Sequence, residues 1–301
     1  MKKRIGALIA IAIAGWAVWF FLIKESIYTI SFVADQPLGL VQEHVLRWPN
    51  YAAKDLDSIQ LTDQGQGLVE QLVHIADSTH RYRWNFKANG PGQTQVQVDV
   101  TDPEHNLAQK WKSLFGKSDF AYRSMANTRA VQKALEIEGQ KFKVHSITDT
   151  LVEGRFCAYV PVEATTRTKA RSMLYSIGFI MDYINSNGLS LAGDPFLEVK
   201  SWDPQQDKLV YDFCFPIVES DSLPVSETVQ FKTSKSFKAL KAEFNGNYNV
   251  SHRAWYYLLD QAQASGLKVD SLATELFLND PHEGGDPLLW KALIFLPLEE
   301  Q

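Results

Sequence analysis

The sequence predicts an α+β chain behind an N-terminal transmembrane helix, on three observations. Residues 5–23 form an uncharged apolar run. Residues 26–140 read in the order strand, helix, strand meander, long helix. Residues 145–301 read as strand, helix, strand, strand twice over, in copies of about 145–217 and 225–298. The two copies share a marker: Glu198 is followed five residues later by Asp203-Pro204, and Glu275 five residues later by Asp280-Pro281. A repeat of this kind signals a duplicated supersecondary unit whose copies pack together.

The first element follows from bilayer dimensions. Met1-Lys2-Lys3-Arg4 precedes the run from Ile5 to Ile23, which Lys24 closes. At 1.5 Å per residue such a run crosses a hydrocarbon core of roughly 30 Å. Trp16, Trp19, Phe20 and Phe21 sit towards its far end, where interfacial aromatics are favoured. A cleaved signal peptide is the competing reading, because Ala12-Ile13-Ala14 has the small-x-small form of a cleavage site. Cutting there would leave the most apolar stretch, Trp16 to Ile23, on the mature chain, which favours an uncleaved anchor. The basic N-terminal end is expected to stay in the cytoplasm, with the folded part outside it.

The formal net charge of −5 and the absence of a basic run argue against a nucleic-acid surface. No metal-ligand spacing joins the seven histidines, and no nucleophile elbow, P-loop or dinucleotide fingerprint occurs, so neither metal nor cofactor is expected. Cys157 and Cys214 lie in strand-like runs. They read as buried thiols, and a disulfide is the alternative outside the cytoplasm.

After the anchor, Ile27 to Val33 alternates as a strand, and Pro37 to Trp48 has helical spacing through Leu40, Val41, Val45 and Leu46. Strands follow at residues 58–61, 68–75, 81–86 and 95–100, where Tyr82, Trp84 and Phe86 alternate, as do Val96, Val98 and Val100. Asn89-Gly90-Pro91-Gly92 reads as a hairpin turn. A helical stretch carries Leu107, Trp111, Leu114 and Phe115, and a longer one runs from about Phe120 to Glu138. This order, with Ile30 and Phe32, then Pro37 and Trp48, resembles the START-like superfamily of polyketide cyclases and lipid-transfer proteins. The resemblance implies a helix-grip domain over 26–140, with a cavity between a curved sheet and the last helix.

In the duplicated half, copy one reads as a strand at residues 154–162 and a helix over about 169–185, with Ala170, Leu174, Ile177, Met181 and Ile184 as its apolar stripe. Strands then follow at residues 196–202 and 208–215. Copy two reads as a strand near residues 228–231, a short helix or loop at 236–244, a helix near 250–264, and strands at 272–278 and 290–296. Gly246-Asn247-Tyr248, the run Thr274-Glu275-Leu276-Phe277-Leu278-Asn279-Asp280-Pro281, and the closing strand from Lys291 to Pro297 resemble the GyrI-like, or bacterial effector-binding, domains. Phe277 stands where those domains carry a tyrosine. The resemblance implies a concave small-molecule pocket over residues 145–301 with a central glutamate, which by position is Glu275.

A carboxylate ringed by aromatics suits a cationic or amphipathic ligand. A buried charge demands a partner, and each aromatic adds about 0.5–2 kcal/mol of cation–π attraction. The candidate binding residues are Glu275 and Glu198, with Tyr159, Phe196, Tyr211, Phe213, Tyr248, Trp255 and Trp290 as walls. The expected function is a membrane-anchored protein that senses, sequesters or carries an apolar or cationic small molecule in the C-terminal cleft, with room for a lipid-like ligand in the helix-grip cavity. Its partners would be that ligand and a lipid bilayer, through residues 5–23, with no nucleic acid. The alternative is a hydrolase of reactive lipophilic compounds, with Glu275 as general base on water.

Overall fold

A computed structural model of the chain describes residues 2–48, 56–75, 78–116, 118–220, 223–270 and 272–299. The fold is α+β, and the chain divides into two compact units: Met1–Asn89 with Gln93–Glu136, and Gly90–Gly92 with Ile137–Gln301.

The first unit opens with helix α1 (Lys2–Val18), extended by a π-helical turn over Trp19–Ile23. Arg4–Ile23 is long and apolar enough to cross a membrane, and none of it is buried. Strand β1 (Tyr28–Ala34) and helix α2 (Leu38–Leu46) follow, then a meander of β2 (Ser58–Gly65), β3 (Leu68–Ile75), β4 (Ser78–Ala88) and β5 (Thr94–Thr101). Helices α3 (Asn106–Ser113) and α4 (Asp119–Gly139) close the order. The strands form one antiparallel sheet in the order β1-β5-β4-β3-β2.

Period-two alternation sets its inner face. His80, Tyr82, Trp84 and Phe86 of β4 and Val96, Val98 and Val100 of β5 turn inward, each fully or nearly buried. Every such valine contributes about 1.5–3 kcal/mol of burial. Phe120, Val131 and Leu135 of α4 join this core, so the long helix grips the sheet. The interior expected to hold a lipid-like ligand is packed with rings: Trp48 lies 5.4 Å from Trp84 and 5.0 Å from Tyr82, both edge-on.

The second unit contains strands β6 (Phe142–Val152) and β7 (Phe156–Ala164), helix α5 (Lys169–Ser186), then β8 (Phe196–Asp203), β9 (Lys208–Pro216), β10 (Gln230–Thr233) and β11 (Phe237–Gly246). Helix α6 (Arg253–Ala264), β12 (Thr274–Phe277) and β13 (Lys291–Pro297) complete it. One eight-stranded sheet runs β10-β7-β9-β8-β12-β13-β11-β6. The duplication is visible in that order: β7-β9-β8 from one copy meets β12-β13-β11 from the other, and β8 pairs antiparallel with β12 at the centre.

Three features depart from the sequence reading. The segment expected as a short helix or loop at 236–244 is β11, which pairs with both β13 and β6 and so opens the second copy. The strand expected near 228–231 is the edge strand β10, shifted to Gln230–Thr233. Strand β6, absent from the sequence reading, is the opposite edge; its largely exposed residues carry no core alternation to betray it. Cys157 and Cys214 are free buried thiols on β7 and β9.

Candidate functional site

The register of the central strands decides which side chains meet. Glu275 of β12 lies opposite Leu197 of β8 and Ile294 of β13, and Leu197 lies opposite Phe213 of β9. These residues therefore share one face, with Phe277 two positions along β12 from Glu275. Glu198 pairs with Thr274 and Asp212, so it points to the other face. The two marker glutamates are thus not equivalent. A β-bulge between Val199 and Ser201 adds one residue to β8, which restores the spacing to Asp203 and conceals the offset.

Glu275 is fully buried. Its Oε2 accepts from the Lys169 ammonium at 2.6 Å, and Lys169 is equally buried. Lys169 also donates to Ser251 Oγ at 2.6 Å. The Ser251 hydroxyl in turn reaches Glu275 Oε2 at 2.7 Å and the Tyr248 carbonyl at 2.9 Å, and its single proton serves one of them at a time. Glu275 Oε1 has no hydrogen-bond partner among the described residues. Trp255 places its ring 5.5 Å from the Lys169 nitrogen, and the Tyr211 hydroxyl donates to the Lys169 carbonyl. Burial pushes the Lys169 ammonium below its ordinary pKa, against the opposing pull of Glu275. Burial pushes the Tyr211 phenol up, with the Glu275 charge adding to it. The cation expected from a ligand is therefore supplied by the chain itself.

Above this pair lies a cavity of about 520 Å³. One wall is α5, through Ala170, Met173, Leu174, Ile177 and Met181. The stripe of Ala170, Leu174, Ile177 and Met181 is less buried than its neighbour, Lys169, Met173, Ser176, Ile180 and Ile184, because it faces the cavity and not the sheet. The opposite wall is aromatic: Phe213, Tyr248, Phe277 and Trp290. Tyr248 lies 4.8 Å from Phe277 and 6.0 Å from Trp290, ring to ring.

Several polar tips of this wall are already engaged. The Tyr248 hydroxyl donates to the Lys291 carbonyl at 2.8 Å and accepts from the Asn279 amide at 3.2 Å, and burial pushes its pKa up to about 12. The Trp290 ring nitrogen donates to the Gly284 carbonyl at 3.0 Å. Asn247 and Asn279 accept from the Asn249 and Lys291 amides. Asp280 accepts from the His282 amide and meets its ring nitrogen at 2.7 Å. What faces the space is mainly ring and aliphatic surface, with the exposed polar residues Asp194, Asn279, Asp280 and His282 also among the lining residues.

The predicted binding residues fall into three groups. Tyr248, Phe213 and Trp290 line the cavity. Glu275, Tyr211 and Trp255 surround Lys169 beneath it. Tyr159, Phe196 and Glu198 lie on the far face, where Lys232 bridges Glu198 and Asp212 at 2.5 Å each and sits 4.6 Å from the Tyr159 ring. Lys169 and Ser251 were not legible as site residues. The one hint was a lysine in the first turn of a helix, where the dipole disfavours a cation unless something nearby demands it.

Residues 163–299 match the family model described as the GyrI-like small molecule binding domain. Among solved structures, the chain is similar to the C-terminal domain of EcmrR (TM-score 0.44, 15% identity, covering 53% of this chain and 99% of that one). It is similar to SAV2435 bound to tetraphenylphosphonium (TM-score 0.35, 15% identity, 52% and 94%). A third likeness is to the ZhuI aromatase/cyclase from Streptomyces sp. R1128 (TM-score 0.25, 15% identity, 36% and 92%). No curated protein matches the chain.

Proposed function

From the match of residues 163–299 to the GyrI-like small-molecule-binding family, we propose that this chain binds a small, uncharged, apolar molecule between α5 and the Tyr248–Trp290 wall. It does so while held at a membrane by Arg4–Ile23, with its folded units outside the cytoplasm. The role is sensing, sequestration or carriage of that molecule. The observation that carries the reading is the state of the cavity lining: its volume suits a ligand of drug size, its surface is mainly apolar, and the polar tips of Tyr248 and Trp290 and the Asn279 side-chain oxygen are spent on backbone partners. Apolar burial, at about 25 cal/mol per Å², then supplies the affinity.

The ligand class is narrowed by Lys169. A cation entering an apolar cavity loses its hydration and gains only if a deep carboxylate awaits it. Glu275 is already neutralised. The exposed carboxylates of Asp194 and Asp280 are solvated and screened, so they contribute little. The hydrolase alternative finds no support in this geometry, since Glu275 sits off the cavity surface against Lys169.

The test is equilibrium binding of triphenylphosphine oxide to the full chain in lipid nanodiscs, with empty nanodiscs as reference. Saturable binding is expected, and Ile177→Trp, which places an indole in the cavity, weakens it. Affinity unchanged in Ile177→Trp would place the ligand elsewhere.

A further inference from the structure

Helix α3 does not behave as its sequence pattern suggests. Its apolar residues face outward: Leu107 is 59% exposed, Trp111 58%, Leu114 42% and Phe115, in the turn that follows, 76%. Leu107, Trp111 and Leu114 stand four and three residues apart, on one face. Meanwhile the charged residue Lys110 is 2% exposed. An inverted amphipathic helix of this kind needs an apolar neighbour on its outer side.

Two observations identify that neighbour. The Lys110 ammonium donates to the carbonyls of Phe21, at 3.3 Å, and Lys24. Carbonyls at the end of a helix lack intrahelical partners, and a cation is favoured there by the dipole. Lys110 thus ties α3 to the last turn of the apolar N-terminal helix. The aromatic rings form a continuous path across the same junction. Trp16 to Phe20 is 5.2 Å, Phe20 to Phe21 5.1 Å, Phe21 to Trp111 6.1 Å and Trp111 to Phe115 5.5 Å. The exposed face of α3 is therefore continuous with the end of the spanning segment, at the level where aromatic side chains favour the boundary between headgroups and acyl chains.

We propose that α3 and the turn after it lie in the membrane interface, with Leu107, Trp111, Leu114 and Phe115 buried among the lipids as a second attachment beside the spanning helix. This rests on the reading of Arg4–Ile23 as a membrane span. A helix in the interface plane buries its apolar face by several ångströms and keeps its polar face in water. In α3 that polar face is already engaged: Asn106 donates to the Glu25 carbonyl and Gln109 to Asp102. The spanning helix and α3 together would fix the orientation of the first unit on the bilayer.

The experiment reconstitutes the full chain in vesicles of phosphatidylcholine and phosphatidylglycerol. Retention in a carbonate wash reports the anchor. The contribution of Trp111 is the fluorescence difference between the wild type and Trp111→Phe, read against lipids brominated near the headgroup and against aqueous iodide. The expected result is a carbonate-resistant chain whose Trp111 signal is quenched by the brominated lipid and shielded from iodide. The triple variant Leu107→Gln, Leu114→Gln, Phe115→Gln alters only exposed side chains and should make Trp111 accessible to iodide. An anchored chain with Trp111 open to iodide overturns the inference and leaves the anchor standing. Shielding from iodide without quenching by brominated lipid means that protein, such as a second copy, covers the face, and overturns it too. A chain stripped by carbonate removes the anchor reading and the inference with it.

Discussion

Lys169 and Glu275 hold the most consequential contact in the second unit, and its energetics are lopsided. Removing one member strands a buried charge, at a cost of about 3–5 kcal/mol, whereas replacing both with apolar residues of similar size is often close to neutral. Lys169→Met and Glu275→Gln should therefore each lower the denaturant midpoint markedly, and Lys169→Met with Glu275→Leu should recover most of it. Recovery no better than the sum of the singles would mean the pair is not coupled. Lys169→Met should also raise the affinity for methyltriphenylphosphonium relative to triphenylphosphine oxide, since Glu275 then lacks its internal partner; an unchanged ratio would detach Lys169 from ligand choice. At the rim, hydrogen bonds from the His282 amide and ring hold the Asp280 carboxyl below its ordinary pKa. Its contribution to stability is present above the ordinary aspartate value and is lost as pH falls through the lowered one. It is small, because Asp280 is 58% exposed. Carboxyl NMR titration of His282→Asn should show Asp280 moving only part of the way back, because the amide hydrogen bond, the larger cause, survives the substitution.

At the scale of elements, the step from β11 into the cavity wall shows why a glycine stands before Tyr248. Gly246 has φ +156°, and a Cβ there would lie 2.8 Å from both the Phe142 Cβ and the Phe244 ring. Backbone strain of this kind costs about 1–3 kcal/mol. Gly246→Ala should lower the melting temperature and displace Tyr248 from the wall, weakening binding of triphenylphosphine oxide; an unshifted melting curve would show that the position tolerates a side chain. The elements that could be read from sequence are those whose periodicity meets a core: β4, β5, α4, α5, β12 and β13. Those missed, misread or shifted, β6, β11 and β10 in turn, are edge strands or a strand whose neighbours come from distant parts of the chain. The site was half legible for the same reason. Tyr248, Trp290 and Glu275 stand in local motifs, but the partnership of Glu275 with Lys169 joins residues 106 positions apart, and the one local hint is a lysine in the first turn of a helix. The stripe Ala170, Leu174, Ile177 and Met181 was visible, yet a cavity wall and a core stripe look alike until burial separates them.

At the scale of the molecule, all the cavity-lining residues lie within 170–290, inside one compact unit. A unit with its own core can in principle fold alone. A fragment of residues 140–301 should therefore bind triphenylphosphine oxide with the affinity of the full chain, and a fragment that folds but does not bind would show that the first unit takes part. The bulge in β8 has a wider consequence for how such chains are compared. A gapless overlay of the two halves sets Glu198 on Glu275 and suggests twin acidic sites. An overlay that opens a gap at Lys200 sets Leu197 there and leaves a single acidic position. One inserted residue has uncoupled the inheritance of the turn from the inheritance of the side chain, so the halves are free to diverge in chemistry while their turns still look like copies.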